Sequence, residues 1–195
     1  MDMKSSKKST WTVVVIAVLV ATMAGYYCYL VNRDRGKAEE ENLTTVQKVL
    51  ARDLSRDYPP SPREVIRYYN EVMKCFYNEE CSGEEIEALG KQARLLYDEE
   101  LVENNPWDTY ITGLTLEILQ YKEQGRRIAS SSVASSVDVE EFTDDGFDFA
   151  RIRCGYSITT GKATESTVQV YLLRKDADKH WKIYGWDLAE NVYAD

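Results

Sequence analysis

From Trp11 to Val31 the chain reads WTVVVIAVLVATMAGYYCYLV, 21 residues without a charge. A helix of that length spans about 30 Å, the thickness of a bilayer core. The pattern predicts a transmembrane helix over 11–31, with Trp11 at one end and Tyr26, Tyr27 and Tyr29 at the other, where amphipathic rings favour the headgroup boundary. A cleaved signal peptide is the competing reading, since Lys4, Lys7 and Lys8 precede the run and Thr22-Met23-Ala24 offers a small-residue cleavage site. The apolar run nevertheless continues past Ala24 and is longer than a signal core. A lipid-modified Cys28 is disfavoured by the bulky Tyr27 before it.

Residues 32–60 read as a charged linker. Within it Leu43, Val46, Val49, Leu50 and Leu54 recur at helical spacing, so a short amphipathic helix is expected, either docked on the following domain or part of a solvated stalk. Tyr58-Pro59-Pro60 marks the boundary of a domain over 61–195. Three helices follow. Ser61-Pro62-Arg63-Glu64 caps the first, whose apolar face carries Val65, Tyr69, Val72 and Phe76 to about Tyr77. Ser82-Gly83-Glu84-Glu85 caps a second that extends to Asn104. Asn105-Pro106 opens a third, with Trp107, Tyr110, Ile111, Leu114, Ile118 and Tyr121 on one face and Gly125 as its stop.

Beyond Gly125 the apolar period shortens from 3.6 to 2 and β-branched and aromatic residues take over. Four antiparallel strands are expected, at about 127–140, 147–159, 166–175 and 180–188. Along the last two, Val168, Val170 and Leu172 oppose Tyr171 and Leu173, while Trp181 and Ile183 oppose Tyr184 and Trp186. Both faces are therefore apolar, and helices covering one would leave the other for a partner, a twin subunit or a pocket wall. Tyr171, Leu173, Tyr184 and Trp186 form the candidate interaction face.

The 195 residues carry 24 Lys and Arg against 33 Asp and Glu, a formal charge of -9, which argues against nucleic-acid binding. One histidine and four scattered cysteines exclude a His-rich metal centre or zinc ribbon. Basic residues flank the apolar run equally, Lys4, Lys7 and Lys8 before it and Arg33, Arg35 and Lys37 after it. The tie is broken by the export-signal look of a basic start followed at once by an apolar run. Residues 1–10 become a short cytoplasmic tail, the chain a single-pass protein of the cell membrane, and the domain extracytoplasmic. Inverted topology is the alternative.

Three helices packed on a curved four-stranded antiparallel sheet make an α+β fold. Tyr68-Tyr69-Asn70 and Phe76-Tyr77, the Trp107–Gly125 helix and the closing Trp181-Lys182-Ile183-Tyr184-Gly185-Trp186 give residues 61–190 a layout that resembles the nuclear transport factor 2-like (cystatin-like) fold. With the anchor, the layout resembles single-pass bacterial proteins, among them the inner-membrane assembly subunit of type IV secretion machines and uncharacterised anchored proteins of Gram-positive bacteria. The resemblance implies a cone between helices and sheet, which in ketosteroid isomerase-type relatives holds an aspartate base and a tyrosine. Tyr69, Tyr97 and Tyr110 are the candidate lining residues here, and no carboxylate stands isolated on an apolar strand face to act as the base.

Other chemistry reads as structural. His180 sits at a hairpin end after a charged turn, and Ser130–Ser132 and Ser135-Ser136 have no histidine partner in sequence. Asp144, Asp145 and Asp148, with Glu140 and Glu141, lack the spacing of a calcium loop. Cys75 and Cys81 are a candidate disulfide at the helical corner, reduced thiols being the alternative; Cys154 reads as a small core residue. Asn42-Leu43-Thr44 matches a glycosylation sequon that is common by chance. No catalytic set, cofactor or metal is expected. The functional expectation is a non-catalytic assembly module that touches the bilayer through 11–31 and a protein partner or second copy through the sheet face. The alternative is a small-molecule binder or isomerase-like domain using the cone, which a polar group deep inside would favour and a cone filled by Tyr and Trp side chains would oppose.

Overall fold

A computed structural model describes residues 22, 23, 25–27, 29 and 43–192. The chain divides into two units, Met1–Leu43 and Thr44–Asp195. In the first, the described residues Thr22, Met23, Gly25 to Tyr27 and Tyr29 are helical and exposed. Most of the transmembrane helix expected over 11–31 lies outside the described residues, and among these no helix is long and apolar enough to cross a membrane.

The second unit begins at Thr44, not residue 61. Thr44 and Gln47 form a reciprocal capping box that starts α1 (Thr45–Leu50). Val46, Val49 and Leu54 are buried in the core, so the amphipathic helix expected within the linker docks on the domain. The Tyr68 hydroxyl donates to the Val49 carbonyl at 2.9 Å and Gln92 Nε2 to the Arg52 carbonyl at 2.7 Å. Further along, His180 stacks on Tyr58, whose hydroxyl donates to the Trp181 carbonyl at 2.9 Å. The apolar spacing of residues 43–54 belongs to the core because it has a hydrogen-bonded seat there.

Ser61 caps α2 (Pro62–Asn78), with Pro62 in the first turn. Ser82 and Glu85 box the start of α3 (Gly83–Arg94). The expected second helix does not run through to Asn104. It stops at Arg94, a turn at Leu95-Leu96 leads into extended Tyr97 and Asp98, and a separate α4 (Glu99–Glu103) starts with Asp98 as its N-cap. The break is held by the sheet edge: the Ile183 amide donates to the Leu96 carbonyl at 2.7 Å and the Asp98 amide to the Ile183 carbonyl at 2.9 Å, pairing Tyr97 with Ile183 in parallel. α5 (Trp107–Glu123) then leads to Gly125, in the left-handed region at φ 63°.

The sheet has five strands, not the expected four: β1 (Arg126–Val133), β2 (Glu140–Asp144), β3 (Phe147–Thr160), β4 (Ala163–Lys175) and β5 (Trp181–Leu188), all antiparallel. The order is β1-β3-β4-β5, with β2 also on β3. The expected strand over 127–140 breaks because a 3-10 turn at Ser136–Asp138 intervenes, so β1 pairs with the second half of β3 and β2 with the first. Asp145 and Gly146, both at positive φ, make the two-residue turn joining β2 to β3. Six α-helices are described in this unit, the last being α6 (Ala189–Val192). The fold is thus α+β with more elements than periodicity alone suggested, because turns divided two of the expected ones.

Candidate functional site

The inner face of the sheet carries Ala150, Ile152, Cys154 and Tyr156 on β3, opposite Leu173, Tyr171, Gln169 and Thr167 on β4. On β5 strict alternation fails. Leu172 pairs with Gly185 and Leu173 with Ile183, so Tyr184 is an extra residue in the ladder. That bulge turns Ile183 and Trp186 to the same inner face, three positions apart, and leaves Tyr184 outside, where its hydroxyl reaches Glu100.

The candidate interaction face is corrected accordingly. Tyr171 is 2% exposed and Leu173 is fully buried beneath the helices, while Trp186 packs its ring against Tyr69, Tyr97 and Tyr171. Tyr184 stands apart on the outer side, edge-on to Phe149. The four residues do not share a face because one bulge residue shifts the parity of β5.

Between α2, α5 and the inner face lies a cavity of about 480 Å³. Tyr69, Tyr97 and Tyr110 all line it, with Tyr156, Tyr171 and Trp186 from the sheet. Its mouth is marked by Glu117 and Trp186, both exposed. Glu117 accepts a hydrogen bond from the Tyr77 hydroxyl at 2.6 Å.

Deep in the cavity wall the polar atoms form a chain. The Tyr156 hydroxyl donates to Asn70 Oδ1 at 2.6 Å and lies 2.6 Å from the Tyr171 hydroxyl, which meets Gln169 Oε1 at 2.7 Å. Asn70 Nδ2 in turn donates to Cys154 Sγ at 3.3 Å. Each phenol has one proton, and a half-turn of the Gln169 amide, which leaves the heavy atoms in place, gives every contact its donor. The Tyr69 and Tyr97 hydroxyls, 3.2 Å apart, share one contact that uses one of their two protons. Burial holds the phenols of Tyr69, Tyr97, Tyr110, Tyr156 and Tyr171 well above their ordinary pKa, so all are neutral donors.

Tyr156, Gln169 and Glu117 are cavity residues that the sequence reading did not single out, and Asn70, behind Tyr156, was read only as part of the helix-one layout. Asn70 left a signal: it shares a helical row with Ile66, Met73 and Tyr77, a lone amide among apolar side chains. Glu117 left none, being one carboxylate on an otherwise mixed helix.

The remaining candidates lie elsewhere. Cys75 and Cys81 are free thiols rather than a bridge, with Cys81 Sγ donating to the Cys75 carbonyl at 3.4 Å. Cys75 points into the core, and burial pushes its thiol up to about 12. In the acidic hairpin, Glu140 pairs with Arg151 at 3.1 Å and Asp148 with Lys175 at 3.6 Å. Among the described residues no cluster of three or more His, Cys, Asp or Glu side chains is arranged to hold a metal ion.

At the sheet edge Arg174 binds both oxygens of the buried Asp98, at 2.6 and 3.0 Å, and Glu100 at 2.8 Å. These bonds fix the turn that brings Tyr97 to the cavity. A search of curated proteins gives no match. The family model described as "Domain of unknown function (DUF6715)" matches residues 1–186, nearly the whole length of α2 to β5 and everything before them, and the chain belongs to that family.

Proposed function

We propose that this domain is a non-catalytic binding module for a small, largely apolar molecule held in the tyrosine-lined cavity. The observation that carries the reading is a cavity of about 480 Å³ whose deep wall is already braced by hydrogen bonds. That volume lies within the usual range for ligand sites, and a braced wall loses little side-chain freedom when a guest enters. A polar group inside favours a binding cone over a filled core, and Tyr156, Tyr171 and Gln169 line the cavity, with Asn70 bracing Tyr156 from behind. Tyr171 and Leu173 are buried and Trp186 lines the cavity, so of the four residues expected to form an assembly face only Tyr184 stands on the outer side of the sheet, and the cavity is the better-supported site.

Glu117, the one carboxylate among the described lining residues, is exposed and engaged by Tyr77, which favours binding over proton abstraction. Helices over one face of an antiparallel sheet, with the cavity between them, also support the likeness to the nuclear transport factor 2-like fold as part of this proposal. For location, we propose that the uncharged stretch 11–31 holds the chain at the cell membrane with the domain outside the cytoplasm. Labelling a cysteine introduced after Val192 with an impermeant reagent on intact cells, in a variant without the native cysteines, tests this. Labelling only after lysis overturns it.

Calorimetric titration with 2-naphthol, a flat neutral probe bearing one hydroxyl, tests the cavity. Saturable one-to-one binding is expected, abolished by Thr167→Trp, which places a large ring in the wall at a half-buried position while the melting temperature is kept. Absence of saturable binding by any cavity-sized probe, neutral or charged, would sink the reading.

A further inference from the structure

We infer that the guest of this cavity is an organic cation, an apolar body carrying a substituted ammonium group. The inference rests on the binding reading above and adds the charge of the ligand. Eight aromatic rings line the cavity, seven from tyrosine and one from Trp186, together with the single carboxylate Glu117 and, among the described lining residues, no Lys, Arg or His. Aromatic faces carry negative quadrupole potential, and a desolvated cation held against several of them is attracted without needing a salt bridge. An anion would meet the same faces and Glu117 with no compensating charge.

The arrangement of rings supports the choice. Trp186 lies 6.1 Å from Tyr69, 6.0 Å from Tyr97 and 6.1 Å from Tyr171, centroid to centroid, so four rings converge at one end of the cavity. The tilts between Trp186 and these rings range from 36° to 44°, which turns parts of several faces towards a common space rather than stacking them flat. The domain's own cations face two of the eight lining rings and leave the Trp186 end of the cavity to a guest. Arg94 covers Tyr110 at 5.3 Å and Arg126 covers Tyr121 at 4.9 Å, whereas among the described cation–ring contacts none falls on Tyr69, Tyr97, Tyr171 or Trp186.

Burial also keeps the lining phenols neutral, so their rings present hydroxyl dipoles and π-faces at ordinary pH. A quaternary ammonium suits such a site because it has no N–H that demands an acceptor, and the apolar remainder fits against Met73, Leu101 and Leu114.

The test compares three probes of one shape on the full chain: benzyltrimethylammonium, its neutral carbon isostere neopentylbenzene, and benzenesulfonate. The cation is expected to bind at least about tenfold more tightly than the isostere, the size of a desolvated cation–ring contact, and benzenesulfonate weakest. Glu117→Gln keeps an acceptor for Tyr77 and should weaken the cation severalfold while leaving neopentylbenzene unchanged. Trp186→Leu, at a half-exposed position, should weaken the cation more than the isostere. Equal or tighter binding of neopentylbenzene or benzenesulfonate overturns the inference. If 2-naphthol binds while the cation does not, only the charge assignment falls; if no probe binds, the cavity reading falls with it.

Discussion

On the inner side of β3 to β5 the polar atoms are neutral and chained, Gln169 to Tyr171 to Tyr156 to Asn70, and they brace the wall of the cavity. On the outer side of the same strands they are charged and converge on one guanidinium: Arg174 holds Asp98 and Glu100 and lies 4.8 Å above the Tyr184 ring. β4 contributes to both arrangements, through Gln169 and Tyr171 inside and Arg174 outside, and the bulge at Tyr184 puts that ring on the outer side while Trp186 faces in. The contrast shows a division of labour. The charges sit outside the cavity, where buried Asp98 and half-exposed Glu100 are both paired to Arg174, and they fasten the turn that presents Tyr97; neutral hydroxyls sit inside, where an unpaired charge would be expensive to bury.

Breaking the outer cluster should do most damage. Asp98→Ala leaves Arg174 largely buried and without its bidentate partner, and is expected to lower unfolding stability by about 3 kcal/mol in urea melts. The double variant Asp98→Ala with Arg174→Met should recover part of that loss, since it removes the orphaned charge. No difference between the single and double variants would remove the ion pair from this account.

The inner face should fail next, and at high pH. Its phenols have folded pKa values raised by burial, so the stability they confer is complete below the unfolded tyrosine value of about 10 and declines as pH rises above it. Absorbance at 295 nm and far-ultraviolet dichroism should therefore change together in an alkaline titration. Phenolate appearing for every tyrosine near pH 10 with the fold intact would contradict the burial of this wall.

Tyr156→Phe removes the proton given to Asn70 and leaves a buried amide oxygen short of a donor; a loss of about 1–2 kcal/mol is expected. The outer cluster should be untouched by it, so the effects of Tyr156→Phe and Asp98→Ala should add. The smallest effect belongs to Glu100→Gln. Hydrogen bonds from Arg174 and then Tyr184 hold the Glu100 carboxyl below its usual range, so its contribution is present above about pH 4.3 and fades as pH falls through the lower folded value. The gap in melting temperature between wild type and Glu100→Gln should be visible at pH 7 and closed at strongly acid pH.

Two helix starts were legible because caps are local: Ser61 and Ser82 each bond a backbone amide three residues on, as does Thr44, which the sequence reading did not mark as a cap. Tyr69, Tyr97 and Tyr110 were expected to line a cavity only through the resemblance to a cone-bearing fold, and all three do line it, Tyr97 from an extended turn rather than a helix. What stayed hidden involved partners distant in sequence. The break after Arg94 depends on Ile183, and the separate β2 depends on which half of β3 is left unpaired by β1. Trp186 was grouped with Tyr184 because a period of two cannot register an extra residue in the ladder, and Tyr171 was set outward because alternation alone does not say which face the helices cover.

Local chemistry in the chain therefore determined the class of the fold, the capped helix ends, the turn at Asp145-Gly146 and the acidic balance that argues against nucleic acid. Tertiary structure alone decided that residues 44–54 join the core, that Asp98 meets Arg174 and that seven tyrosines surround an open space. The reason is range. A cap or a hairpin turn is satisfied within four residues, whereas a cavity is bounded by side chains from helices and strands whose meeting depends on register, and one bulge is enough to change it.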